Sequence, residues 1–184
     1  TELTPEENQT LELGVEQVKE NSRFTVVAFH REEDNFVDFV FSSNFMGYQN
    51  RPGIFKVRGV EVEANWSLKN WNINTNYTFT EKVDQVPMRL PKHLANLSLS
   101  YAASKTQWGL HWRHIGSRYD TNQNFEQEEL DAYALLDARV AFPNFIGNTT
   151  ASVSITNLFD VDYTEIFGFT TLGRNLNIAL RYAF

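Results

Sequence analysis

The sequence predicts an all-β fold in which antiparallel strands form the wall of a transmembrane barrel, and three observations predict it. Apolar and polar residues alternate with period two in segment after segment. The connections between those segments alternate in length, short then long. The last nine residues carry an apolar or aromatic side chain at every second position up to Phe184.

The bulk properties leave room for this reading and close off others. The chain has 184 residues, a net charge of −7 and 14% aromatic residues, with fifteen Phe, seven Tyr and four Trp. Its mean hydropathy is −0.40, and no window approaches the roughly 20 apolar residues that a membrane-crossing helix needs. Barrel strands pair lipid-facing apolar residues with polar lumen-facing ones, so a hydrophilic average is what they produce. The acidic balance argues against nucleic acid as a partner, since phosphates demand a basic face. Absence of cysteine removes disulfide frameworks and thiolate metal sites. The segment Thr1–Glu7 has neither the basic region nor the apolar run of a signal peptide. The expectation is a leader already removed, or a chain that begins within a longer protein.

Taken in order, the alternation gives nine strands. Leu11, Leu13 and Val15 mark the first, and a segment from Ser22 to Phe41 reads as the second, with two apolar registers competing for its outward face. Val60, Val62, Ala64 and Trp66 oppose Glu61, Glu63 and Asn65 in the third. In the fourth, Trp71, Ile73, Thr75, Tyr77 and Phe79 oppose Asn72, Asn74, Asn76, Thr78 and Thr80. The fifth sets Ala95, Leu97, Leu99 and Tyr101 against Asn96, Ser98 and Ser100. Trp108, Leu110 and Trp112 follow, then Leu136, Ala138, Val140 and Phe142, then Ala151, Val153 and Ile155. The last strand places Leu176, Ile178, Leu180, Tyr182 and Phe184 on one face, with Asn175, Asn177, Ala179, Arg181 and Ala183 on the other.

Short turns are expected near Lys19–Ser22, Ser67–Asn70, Ala103–Lys105 and Pro143–Asn148, and long loops near 42–52, 82–88, 118–129 and 159–170. In outer-membrane barrels the short ends face the periplasm and the long loops face outward. Trp66, Trp71, Tyr77, Tyr101, Trp108, Phe142 and Tyr182 are expected near strand ends, as an aromatic girdle at the headgroup level. A soluble β-sandwich also shows period two, but its polar face does not call for such runs of Asn, Glu, Arg and Ser, which suit a watery lumen.

The terminal run Leu176-Asn-Ile-Ala-Leu-Arg-Tyr-Ala-Phe184 resembles the C-terminal signature that outer-membrane proteins present to the barrel-assembly machinery, carried by Leu180, Tyr182 and Phe184. The string Ile155-Thr-Asn-Leu-Phe-Asp160-Val-Asp-Tyr163, followed by Phe167-Gly-Phe-Thr-Thr-Leu-Gly-Arg174, resembles the closing hairpin of TonB-dependent receptors. Its family motif is Asn157, Leu158, Phe159, Asp160, Gly173 and Arg174. Arg58-Gly-Val-Glu-Val-Glu63, Arg89-Leu-Pro-Lys-His93 and Ile115-Gly-Ser-Arg-Tyr-Asp120 agree with it, so the likeness runs over nearly the whole chain. Within the family, order and spacing are most similar to the vitamin B12 (cobalamin) receptors, while ferric-siderophore and heme receptors share most of the same words. The resemblance implies residues 1–184 as the C-terminal part of the barrel, the last nine or so strands of 22, with the plug domain and its TonB box absent from this chain. It also implies a bacterial outer-membrane location, contact with outer-membrane lipid, TonB engaged through the missing plug, and a small nutrient such as cobalamin or an iron chelate as cargo.

As barrel furniture these motifs make physical sense. Asn157 and Asp160 can cap and turn the chain, Gly173 permits close backbone approach, and Arg174 can reach polar partners at the rim. By the same resemblance Arg89 and Phe169 sit where loops approach substrate, with Tyr119 and Tyr163 behind them. Each also reads as an interfacial aromatic or a strand-end cation. His111 and His114 fall on opposite faces of a strand and cannot chelate together, so no metal site is expected. The acidic groups at Glu126, Glu128 and Glu129 and at Asp160 and Asp162 read as solvated loops. No cofactor is expected, and calcium on extracellular loops is the one ion that their spacing leaves open. No nucleophile, phosphate loop or zinc motif stands in a supporting context, so the chain reads as no enzyme. The rival function class is a passive or structural outer-membrane barrel, which has less need of the Asn157–Arg174 string.

Overall fold

The computed structural model describes residues 2–42, 44–83, 89–121 and 126–184. Among them lie β1 (Glu7–Lys19), β2 (Ser22–Asp34), β3 (Val37–Ser42), β4 (Phe45–Asn50), β5 (Phe55–Leu68), β6 (Trp71–Lys82) and β7 (His93–Ala102). The remaining strands are β8 (Gln107–Ile115), β9 (Arg118–Thr121), β10 (Gln127–Leu130), β11 (Tyr133–Ile146), β12 (Thr149–Thr156) and β13 (Asn175–Tyr182). No helix here is long and apolar enough to cross a membrane, which says nothing of strands.

Nine of these strands form one antiparallel sheet in the order β1-β2-β5-β6-β7-β8-β11-β12-β13, each beside its neighbour in sequence once the two small hairpins β3–β4 and β9–β10 are set aside. Directly opposed residues of an antiparallel pair share a face, so the register can be followed across the wall. One row runs Trp66, Ile73, Leu99, Leu110, Ala138, Ile155, Leu176. The neighbouring row runs Ser67, Asn72, Ser100, Gly109, Arg139, Ser154, Asn177. Across these seven strands a single sheet therefore sorts its residues into an apolar and a polar face.

Among the described residues, none packs as a layer against the apolar face. Leu13 is 78% exposed, Leu180 72% and Ile178 69%, and a contiguous apolar surface of that extent belongs against lipid or a partner, not water. The polar face is stitched by side-chain hydrogen bonds. Asn96 Nδ2 donates to Asn76 Oδ1 at 2.9 Å, Ser98 Oγ meets His111 Nδ1 at 2.9 Å, and Arg23 Nε donates to Glu16 Oε1 at 2.6 Å.

The register resolves the competing faces of β2. Phe24, Val26 and Ala28 stand opposite Ala64, Val62 and Val60, on the apolar side, which leaves Val27 and Phe29 on the polar side. The Phe29 ring lies against Gly59. A Cβ there would sit 2.5 Å from Phe29 Cζ and 2.2 Å from the Phe79 carbonyl oxygen, so only glycine fits. The structure also corrects the reading of 22–41 as one strand. Asn35 at φ 56° breaks it, and Val37–Ser42 turns away to pair with β4. The long loops expected at 42–52 and 118–129 thus hold hairpins, β3–β4 and β9–β10. Residues 84–88 of the loop expected at 82–88, and 122–125 of the other, lie outside the described residues.

The short turns fall at Glu20–Asn21, Lys69–Asn70, Ala103–Thr106 and Gly147–Asn148. The last differs from the expectation of a turn from Pro143. β11 continues to Ile146 through a register shift between Phe142 and Ile146, with Asn144 at φ 53° taking up the irregularity. Trp71 and Tyr101 pack at 4.7 Å near this short-turn end. Tyr77 belongs to the opposite half, where its hydroxyl meets His93 Nδ1 at 2.8 Å.

Candidate functional site at the long-loop rim

At the other end of the sheet three connections are gathered together: β6–β7, β8–β11 and β12–β13. The gathering begins locally. Gly116 follows β8, and its N–H donates to the His93 carbonyl at 2.7 Å. A Cβ at Gly116 would lie 2.9 Å from that same oxygen, so the chain can leave the sheet here only as glycine. Arg118 and Asp120 then occupy alternate positions of β9, which puts both side chains on one face of the hairpin.

Asp120 is completely buried, and its carboxylate is the knot of the site. Oδ1 accepts from Arg89 Nε at 2.8 Å and from the Thr121 N–H at 2.8 Å, while Oδ2 accepts from the Phe167 N–H at 3.0 Å. Burial pushes its pKa up. The Arg89 hydrogen bond, then the Phe167 and Thr121 amides, more than offset that and hold the carboxyl below the usual value. Arg118, 6% exposed, works alongside: Nη2 donates to the carbonyls of Glu165 at 2.9 Å and Thr164 at 3.2 Å. Its guanidinium also lies 5.5 Å from the centre of the Tyr133 ring. Tyr133 in turn packs on Tyr163 at 4.5 Å and its hydroxyl donates to Glu165 Oε1 at 3.2 Å. One carboxylate and one guanidinium thereby bind three loops into one body.

The family motif forms a second fastening. Asn157 is 3% exposed and adopts φ 51°, a left-handed conformation that asparagine tolerates better than most residues. Its Oδ1 accepts from the Val161 N–H at 2.8 Å, its Nδ2 donates to the Val161 carbonyl at 2.9 Å, and its own N–H donates to Asp137 Oδ1 at 2.8 Å. Leu158 N–H donates to the Leu136 carbonyl at 2.7 Å. Asp160, at φ 56°, closes the loop by accepting from the Arg174 N–H at 2.7 Å. A Cβ on Gly173 would meet that same carboxylate oxygen at 2.9 Å. The Arg174 side chain stands 3.9 Å from Asp160, with both groups more than half exposed, so its backbone amide does most of the work. Phe159 is left exposed.

Of the four residues expected to approach a ligand, Arg89 and Tyr119 are brought together, the Arg89 N–H donating to the Tyr119 carbonyl at 2.8 Å. Arg89 spends its guanidinium on Asp120, Tyr163 is packed on Tyr133, and Tyr119 and Phe169 present open rings, 46% and 72% exposed. A recess of about 300 Å³ lies beside them, lined by Glu128, Asp131, Tyr133, Asp162, Tyr163 and Phe167. Among the described residues no three His, Asp or Glu side chains group as a metal-binding set. The residues that sequence reasoning passed over are Arg118 and Asp120. Both stand in a motif it quoted, and their i, i+2 spacing beside Gly116 is the signal that could have singled them out.

Comparison with known proteins agrees with this architecture. The family model described as "TonB dependent receptor-like, beta-barrel" matches residues 1–158. Among solved structures the chain is similar to the siderophore receptor PirA from Acinetobacter baumannii (TM-score 0.78, 14% identity, 99% of this chain and 32% of that one). It is likewise similar to the copper transporter OprC (TM-score 0.78, 18% identity, 99% and 31%). A third is the ferripyoverdine receptor of the outer membrane of Pseudomonas aeruginosa, bound to ferripyoverdine (TM-score 0.74, 21% identity, 98% and 27%). The chain spans about a third or less of the length of these structures, and at such identities they speak to fold. With a family model matching most of its length, the chain belongs to the TonB-dependent receptor-like β-barrel family.

Proposed function

We propose that the chain is part of the wall of an outer-membrane active transporter that captures a scarce nutrient outside the cell and imports it with energy delivered through TonB. The observation that carries the reading is the loop cluster itself. Ligand recognition by loops costs less when they are ordered beforehand, and here buried Asp120 and Arg118 order three loops while leaving the Tyr119 and Phe169 rings open. In this reading the apolar face meets lipid, residues 1–184 are the C-terminal strands of a 22-stranded barrel, and the plug that engages TonB lies outside this chain. Leu180, Tyr182 and Phe184, in phase on the apolar face of an edge strand and all exposed, are what the barrel-assembly machinery reads.

Cobalamin is the nutrient that the sequence motifs favour. A ferric siderophore or heme is the alternative, supported by the siderophore and ferripyoverdine receptors among the similar structures. Cobalamin and heme each hold a metal in a broad macrocycle, against whose face open rings supply contact area. The test is to prepare outer membranes carrying the full-length receptor, measure heat modifiability on a gel, and titrate the same preparation with cyanocobalamin, ferric siderophore and heme. A heat-modifiable band with saturable cyanocobalamin binding supports the first nutrient, and the same band binding only an iron chelate moves the assignment to the alternative. A band that binds none of the three removes these nutrients and turns the search to other cargo, such as the copper of the similar copper transporter.

A further inference from the structure

The rim cluster carries one buried donor too many. Arg118 is 6% exposed, and its Nη2 is spent on the Glu165 and Thr164 carbonyls. Its Nη1 is buried as well, and among the described residues no acceptor meets it. An unpaired buried N–H is costly, so its retention calls for a reason. The neighbour on the same face of β9 is Asp120, two residues on and roughly 7 Å along the strand. Asp120 has room for a further donor. Its Oδ1 accepts from Arg89 Nε and the Thr121 N–H, but its Oδ2 accepts only from the Phe167 N–H among the described residues, and an ionised carboxylate offers about four acceptor positions.

Arg89, the present partner, is the less secure of the two cations. Its side chain is 52% exposed against 0% for Asp120, so dissolved anions reach it. Among the described residues only its Nε is engaged, which leaves the Nη pair, part of the fork that grips a carboxylate, without a protein acceptor. Its backbone stands at φ 65°, a left-handed conformation that long side chains rarely adopt. Arg118 is buried and free of that strain.

We propose that Asp120 is a latch with two partners: a carboxylate presented from outside draws Arg89 away, and Asp120 passes to Nη1 of Arg118. Loss of a sole partner would strand a buried charge, and the standby guanidinium prevents that. The exchange frees Arg89 for the ligand while β9 stays fastened to the β12–β13 connection through Thr164, Glu165 and Phe167. That the carboxylate belongs to cargo rests on the transporter reading. Within it, the latch favours chelates with free carboxylates, such as heme, over cyanocobalamin, which has none.

The experiment measures hydrogen exchange at Thr121 and Phe167 in the full-length receptor purified in detergent. Arg89→Gln should leave both amides within about threefold of the unmodified receptor, because Arg118 takes over. Arg118→Lys keeps a charge and a donor for the loop carbonyls but loses the forked Nη pair, and should also cost little alone. Together the two should accelerate exchange roughly tenfold beyond the product of the single effects. In Arg89→Gln the Phe167 amide, corrected for intrinsic pH dependence, should stay protected from about pH 7 to about pH 5, where an unpaired buried carboxylate would take up a proton. If Arg118→Lys alone loosens the loops, that pH profile decides. Millimolar citrate, compared with sodium chloride of equal ionic strength, should accelerate exchange in Arg118→Lys and leave the unmodified receptor unchanged. Protection that fades over that pH range, purely multiplicative effects in the double variant, or citrate without effect on a folded Arg118→Lys overturns the latch and leaves the transporter reading standing. The transporter reading fails separately: a passive barrel would keep the latch and show no TonB-dependent uptake.

Discussion

The two rim hairpins, β9–β10 and β3–β4, are built from similar amounts of chain and are held in opposite ways. β9–β10 is rooted inside: Asp120 is fully buried, Arg118 nearly so, and Leu130 of β10 is 2% exposed. β3–β4 is tied from outside. Asn50 accepts from Thr4 N–H at 2.8 Å and donates to its carbonyl at 2.9 Å, Glu6 Oε1 accepts from Val37 N–H at 2.7 Å, and Arg51 pairs with Asp38 at 2.7 Å. At its base Phe36 packs on Phe55 at 4.8 Å, while Phe39, Met46 and Tyr48 are left exposed. Charge and amide groups withdrawn from water hold firmly because nothing competes for them. The same groups at the surface exchange with water at little cost. The first hairpin is therefore a platform and the second an arm tied at the surface.

The largest break in that contrast is expected from Asp120→Ala. Three donors lose their acceptor at once, two of them backbone amides and one the Arg89 guanidinium. Discounting Arg89 for its 52% exposure, the cluster should lose ~2–3 kcal/mol of local stability. Hydrogen exchange at Phe167 and Thr121 should accelerate by more than an order of magnitude while the β3–β4 amides stay as they were. Equal acceleration in both hairpins would falsify the platform role.

Acid gives a graded version of the same break. Asp120 has a folded pKa below its ordinary value of 3.8, so ionised Asp120 contributes stability in full above about pH 4. That contribution fades as pH falls through the lowered folded value. Loop exchange at Phe167, corrected for its intrinsic pH dependence, should stay flat from pH 7 to pH 5 and rise only below about pH 4. A rise centred near neutrality would assign the latch to some other group.

How much of this could be read from sequence follows the same division between wall and rim. Period two located all nine wall strands, because each strand has one apolar face and parity along it is preserved. Parity also misled at residues 22–41. Val37 and Phe39 fall in phase with Val27 and Phe29 across the polar run Arg31–Asn35, and the chain turns away at Asn35, in a left-handed conformation that asparagine tolerates. β9 and β10, four residues each, are too short to show a period. Asp120 was legible as part of a motif but not as its knot, since its partners Arg89 and Phe167 lie 31 and 47 residues away. Asn157 was legible as a turn former because its side chain bonds Val161 four residues on, and Asp160 because its own N–H returns to the Asn157 carbonyl.

At the β3–β4 arm the expected effects are smaller. Asn50→Ala removes the two-way link to Thr4, both members of which are near the surface, and should cost about 1 kcal/mol. Limited proteolysis should then cut faster within residues 44–50 and leave 126–130 untouched.

Arg51→Ala should do least, and the reason sharpens the comparison. Its pair with Asp38 is about one-third exposed on both sides, so solvent screens most of the attraction and the loss should be roughly 0.5 kcal/mol or less. The Arg51 N–H still donates to the Phe36 carbonyl at 2.7 Å, a bond that substitution leaves in place. Raising salt to 1 M shortens the screening length to about 3 Å, and should bring the unmodified arm to the proteolysis rate of the Arg51→Ala arm while sparing the Asp120 cluster. If salt loosened both hairpins alike, burial would not be what separates them.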